Sequence, residues 1–162
     1  MTTTPESRAG SRLDALAHYA TVAAVFGLGG MVVCQGWQVF ARYALNASPS
    51  WTEPLTLFFL STTLAFGAAA GVQSGNHFSF PLLVRLLPLP VQRACARLSA
   101  LIVVLTGLLL AGYGGWLFLA DLDVRLAGAP LPQSIAFLPL ALGGALMTVF
   151  AVPSLIHPVT EA

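Results

Sequence analysis

The chain has 162 residues; 57% are hydrophobic, only 8% are charged, the net charge is +1 and the mean hydropathy is +0.83. Soluble domains carry about 25% charged residues. Here the apolar residues come in long unbroken runs rather than periodic stripes, which defines an all-α integral membrane protein. The few basic residues are scattered, which excludes the basic patch needed to bind nucleic acid. Cys34 and Cys95 fall in different segments without a C-x-x-C pair, and both read as buried free thiols. With no nucleophile–base pair and no cluster of metal-ligating residues, the chain is expected to be neither an enzyme nor a cofactor or metal carrier.

Residues 1–14, with Glu6, Arg8, Arg12 and Asp14 among Thr, Ser and Gly, read as a flexible polar tail. From Ala15 to Ala41 there is no charged residue. A bilayer core of about 30 Å takes about 20 helical residues, so a first span is placed at about 18–41. The run is too long for the apolar core of a signal peptide and reads as a retained span. Gly27, Gly29, Gly30 and Gly36 offer a small-residue face for close helix approach. Gln35 and Gln38 are expected to face protein, because an unpaired amide in hydrocarbon is costly.

A polar turn follows, from Arg42 to Glu53. Ser50-x-x-Glu53 fits a capping box for the next helix. Pro54 opposes that reading, since it restricts Glu53 and removes a donor; Thr52 or Glu53 as N-cap, with Pro54 near the first helical position, is the alternative. The second span is placed at 54–73, with Ser61, Thr62 and Thr63 returning their hydroxyls to the backbone and Gly67 to Gly71 forming another tight face. After the polar turn Ser74-Gly75-Asn76-His77, residues 78–97 mix Arg85, Arg93 and Arg97 with Leu, Val and the breakers Pro88 and Pro90. That pattern suits an amphipathic segment lying in the interface.

The third span is placed at 98–120, with Gly112, Gly114, Gly115 and Trp116 near its end. Asp121, Asp123 and Arg125 make an aqueous turn, and the fourth span occupies about 134–156 with Pro139 in its first turns. The whole of 1–162 is therefore a single membrane domain of four transmembrane helices. Arg8, Arg12, Arg85, Arg93 and Arg97 lie on one side of these spans, Arg42 and Arg125 on the other. The positive-inside rule then puts both termini in the cytoplasm.

None of the six acidic residues falls mid-span, whereas ion and proton pathways ordinarily carry an intramembrane ionisable group. The chemistry sits at the helix ends. Arg42 and Glu53 read from the residues alone as interfacial anchors or a local ion pair, worth about 0–1 kcal/mol if exposed. Trp51 reads as a belt residue at the lipid–water boundary or as a recognition residue. His77 reads as a polar turn residue. His18, His77 and His157 raise a haem-anchoring membrane subunit of a respiratory enzyme, but bis-His ligation needs two imidazoles at matching depth on facing helices. All three lie at span ends.

Phe40-Ala41-Arg42-Tyr43, Asn46 and Ser48 in a short turn, Trp51-Thr52-Glu53, an apolar helix and Gly75-Asn76-His77 follow one another in order. In that order they resemble the small, DctQ-like permease subunit of tripartite ATP-independent periplasmic (TRAP) transporters. The family's second Glu is here Pro54. The resemblance implies a non-catalytic subunit in a bacterial inner membrane, partnered by a large permease subunit, a periplasmic substrate-binding protein and membrane lipid. It also implies sodium-coupled uptake of organic acids, with the sodium site in the large subunit. Under it, Arg42, Tyr43, Asn46, Trp51, Glu53 and His77 are the candidate partner-contact or turn-fixing residues. The four-span small subunit of tripartite tricarboxylate transporters is the alternative within transport.

Overall fold

In hydrocarbon a backbone N–H or C=O has no water to bond, so each crossing segment must pair its own polar groups. The computed structural model, which describes residues 5–47, 49–74, 88–128 and 131–156, meets this with helices throughout. They are α1 (Pro5–Ala44), α2 (Thr52–Gln73), α3 (Leu89–Ala120), a 3-10 helix (Gln133–Phe137) and α4 (Leu138–Ile156). Four helical stretches, Leu13–Ala44, Thr52–Gln73, Pro90–Ala120 and Gln133–Leu155, are long and apolar enough to cross a membrane.

The boundaries differ from the sequence expectation in instructive ways. Helix α1 begins at Pro5, inside the stretch read as a polar tail; proline is well suited to a first helical residue, where its missing N–H is no loss. Its 40 residues make a rod of about 60 Å, about twice the hydrocarbon thickness. Helix α3 likewise starts at Leu89, with Pro88 extended at the N-cap and Pro90 in the first turn. The two prolines expected to break this region therefore initiate the helix, and residues 89–97 continue into the third span instead of forming a separate interfacial element. Arg93 and Arg97 lie exposed on its first turns. Residues 78–87 of that expected segment lie outside the described residues.

Helix α2 uses neither of the two caps read from the sequence. Trp51 is the N-cap, in helical conformation and without a side-chain cap. Pro54 becomes the third helical residue, one of the four positions whose amide has no intrahelical acceptor. Thr52 donates its hydroxyl back to the Pro49 carbonyl at 2.8 Å. The hydroxyls of Ser61 and Thr62 bond Phe58 O and that of Thr63 bonds Phe59 O, as expected. Among the described residues no buried side-chain polar atom lacks a partner. Pro139 falls in the first turn of α4, directly after the 3-10 helix, where it breaks no ladder. Cys34 is buried and Cys95 is exposed, and both are free.

The helices form an open layer. Helix α1 packs along α2, α2 against α4, and α4 along α3, so α1 and α3 are the outer members. Only 11% of the apolar window of α1 is buried, against 33% for α4. Ala69 of α2, Val103 of α3 and Met147, Phe150 and Ala151 of α4 make the core, with Leu13 and Ala17 of α1 packed against it. That cluster gathers the start of α1 with the ends of α2 and α4, so Pro5 and Ile156 lie at the same end of the layer.

Glycine permits the close contacts. A Cβ on Gly27 or Gly30 would collide with Phe59 or Thr63 of α2, and one on Gly114 with Leu140–Ala141 of α4. Gly29, Gly36, Gly112 and Gly115 have nothing within 4 Å of that position, so their sides of α1 and α3 face outward. Each glycine group is thus split, one side used within the chain and one left open.

At Gly144 a Cβ would lie 2.6 Å from the Ala111 amide nitrogen. Gly144→Leu should therefore destabilise the fold by about 1–3 kcal/mol through overpacking, whereas Gly112→Ala, which meets open space, should stabilise it by up to about 1 kcal/mol, the helix-propensity difference. Thermal unfolding in mild detergent checks both.

Candidate functional site

The polar residues of the Arg42 end are set by how α1 stops and α2 starts. Asn46 adopts φ +52°, and the Ala47 amide reaches back to the Ala41 carbonyl at 3.1 Å. Asn is among the few residues that enter the left-handed region at low cost, so its position in the turn has a backbone reason. Across the turn, Ser50 Oγ donates to Gly128 O at 3.2 Å. Gly128 has φ +89°, and its Cα sits so close to the Ser50 carbonyl that a side chain has no room there.

The second connection at this end is closed on itself. Leu126 N–H bonds Leu131 O and Gln133 N–H bonds Val124 O, both at 2.8 Å, around a bridge between Arg125 and Pro132. The Gln133 side chain donates to Asp121 Oδ2 at 2.9 Å. The two connections thereby form one lid, with Thr52, Ser134 and Pro139 fully buried beneath it. Tyr43, Trp51 and Trp116 are exposed at this end, as an aromatic belt requires.

Beside the lid, α1 and α2 leave a cleft of about 370 Å³ lined by Gln35, Gln38, Arg42, Glu53, Thr56 and Leu57. Arg42 and Glu53 face this common space without forming an ion pair, and among the described residues neither they nor Gln35 and Gln38 have a hydrogen-bond partner. The local ion-pair reading of Arg42 and Glu53 is therefore set aside. Gln35, expected to face protein, is exposed, and Gln38 is half-buried.

Of the six residues singled out from sequence, Arg42 and Glu53 meet at the cleft, while Tyr43, Asn46 and Trp51 lie exposed around the turn. His77 lies outside the described residues. So does His157, while His18 is exposed on α1. The site also includes Gln35, Gln38, Thr56 and Leu57, which were not grouped with Arg42 from sequence. The i, i+3, i+7 spacing of Gln35, Gln38 and Arg42 carried that signal, since such positions share a helix face. The Ser50–Gly128 bond spans 78 residues, and nothing in the local sequence announces it.

Four helices long and apolar enough to cross a membrane, with a polar cleft and turn at one end, define a multi-pass membrane protein. A sequence model of the family "Tripartite ATP-independent periplasmic transporters, DctQ component" matches residues 31–161. The chain belongs to this family and is a small membrane component of a TRAP transporter. The match favours this assignment over the tricarboxylate-transporter and haem-anchor alternatives. A search among curated proteins found none that matches.

If Asn46 serves the backbone alone, Asn46→Gly should preserve stability, whereas the β-branched Asn46→Val should lose about 1–2 kcal/mol, the cost of a left-handed L-residue. Thermal unfolding in detergent measures the pair. A stable Asn46→Gly protein that fails to support uptake would show instead that the amide is a contact group.

Proposed function

We propose that this chain is the non-catalytic scaffold of a sodium-coupled, binding-protein-dependent importer of organic acids. It braces the large permease subunit in the bacterial inner membrane and contributes to the surface on which the periplasmic binding protein docks. The observation that carries the reading is the open layer: the Gly29–Gly36 side of α1 and the Gly112–Gly115 side of α3 are contoured for close helix contact and meet no helix among the described residues. No Asp, Glu, Lys, Arg or His lies in the middle of any span, which supports placing the sodium and substrate sites in the larger partner. Substrate and cofactor chemistry are accordingly assigned to the other components, with no cofactor held here.

The lid and the exposed Tyr43 and Trp51 suit a docking role on the periplasmic side. Arg8 and Arg12 on α1 and the exposed Arg93 and Arg97 on α3 belong to the opposite end, which supports cytoplasmic termini.

Liposomes containing this chain alone should show no sodium-driven uptake, and uptake should appear when the large subunit and binding protein are added. The chain should also co-purify with the large subunit in mild detergent. Uptake by the isolated chain, or failure ever to associate, would overturn the accessory role. For orientation, a phosphatase fused after Ala162 should be inactive, and one inserted in the 121–132 connection active, in an assay for periplasmic enzyme.

A further inference from the structure

The cleft between α1 and α2 changes character along its length. Its outer end holds a cation and an anion, Arg42 and Glu53, which have no partner among the described residues. Gln38 and Gln35 come next along α1, about 6 and 10 Å deeper at 1.5 Å per residue. Leu57 of α2 lines the cleft opposite them, and farther along the two helices Val32 of α1 and Leu64 of α2 are exposed and apolar. The interfacial layer of a bilayer is about 5–8 Å thick on each side. Gln38 therefore lies at the inner boundary of that layer when Arg42 sits at phosphate depth.

We propose that this cleft binds a single phosphatidylethanolamine molecule of the adjacent leaflet, taken headgroup first. The guanidinium of Arg42 donates to the lipid phosphate, a charge-assisted contact suited to its fork of donors. The Glu53 carboxylate accepts from the lipid ammonium. The Gln38 amide donates at the level of the glycerol esters, and one acyl chain lies along Val32, Leu57 and Leu64. A zwitterionic ligand satisfies both unpaired charges at once. A purely anionic headgroup would leave Glu53 facing like charge, and a choline headgroup could not donate a hydrogen bond to it. The inference depends on the membrane placement of the helices and stands apart from the identity of the protein partner.

The full-length chain, purified in mild detergent and stripped of lipid, is mixed with phosphatidylethanolamine or phosphatidylglycerol and weighed by native mass spectrometry. Wild type should retain one phosphatidylethanolamine, preferred by about tenfold, the scale of one charge-assisted hydrogen bond. Arg42→Ala should lose about tenfold in lipid retention by the same measure. Glu53→Gln, a near-isosteric change at an exposed position, should still hold lipid but lose the preference between headgroups. Glycerophosphoethanolamine, the same headgroup without acyl chains, should not displace the lipid. Equal retention by wild type and both variants would mean only a general lipid shell and overturn the proposal. One-for-one displacement by glycerophosphoethanolamine would also overturn it, as would a cleft that holds no lipid and whose Arg42→Ala variant weakens binding of the large subunit instead.

Discussion

Where Gly27 and Gly30 of α1 meet Phe59 and Thr63 of α2, the helices come together with no side chain of α1 between them. The same happens between Gly107 of α3 and Thr148 of α4, and where Gly143 of α4 meets Ala65 of α2. Lipid is as apolar as leucine, so burying apolar surface does not drive helices together in a membrane, and close van der Waals contact must do so. Thr63 adds an interhelical bond, its hydroxyl reaching Ala24 O at 3.3 Å. The order α1–α2–α4–α3 follows from which glycines have a partner.

That order has a functional consequence. A closed bundle would use up its small-residue faces, whereas an open layer leaves α1 and α3 each with an outward face. The glycines on those faces meet nothing among the described residues and cost helix propensity, about 1 kcal/mol each relative to alanine. Their presence is understandable if another helix approaches there, as expected of one component of a multi-subunit transporter. The acidic and basic side chains lie toward the helix ends, where they can meet water, headgroups or a partner without crossing hydrocarbon.

The Arg42 end is held more firmly than its polar composition suggests. The Ser50–Gly128 bond joins the two connections, Gln133 and Asp121 close the second on itself, and Thr52 and Ser134 are buried. The joined connections lead into the start of α2, which carries Glu53, while α1 supplies Arg42 from the other wall. The cleft between them is a product of that arrangement, and Arg42 and Glu53, without a partner among the described residues, are exposed there.

The four apolar runs by themselves determined the class of protein, the number of spans and the even count of crossings, because hydrocarbon thickness and backbone pairing leave no other solution for such runs. The hydroxyl-to-backbone bonds of Ser61, Thr62 and Thr63 were equally legible, being local. Helix starts were not: Pro88 and Pro90 read as breakers, yet at a first turn they begin α3, and Pro54 was admitted into α2 without the expected cap. The position of a proline within a helix, rather than its presence, decides its effect. The order of helices across the layer, the Ser50–Gly128 contact and the cleft uniting Gln35, Gln38, Arg42 and Glu53 came only from the tertiary structure. They depend on which helix faces meet, and helical periodicity states which residues share a face without saying what that face will touch.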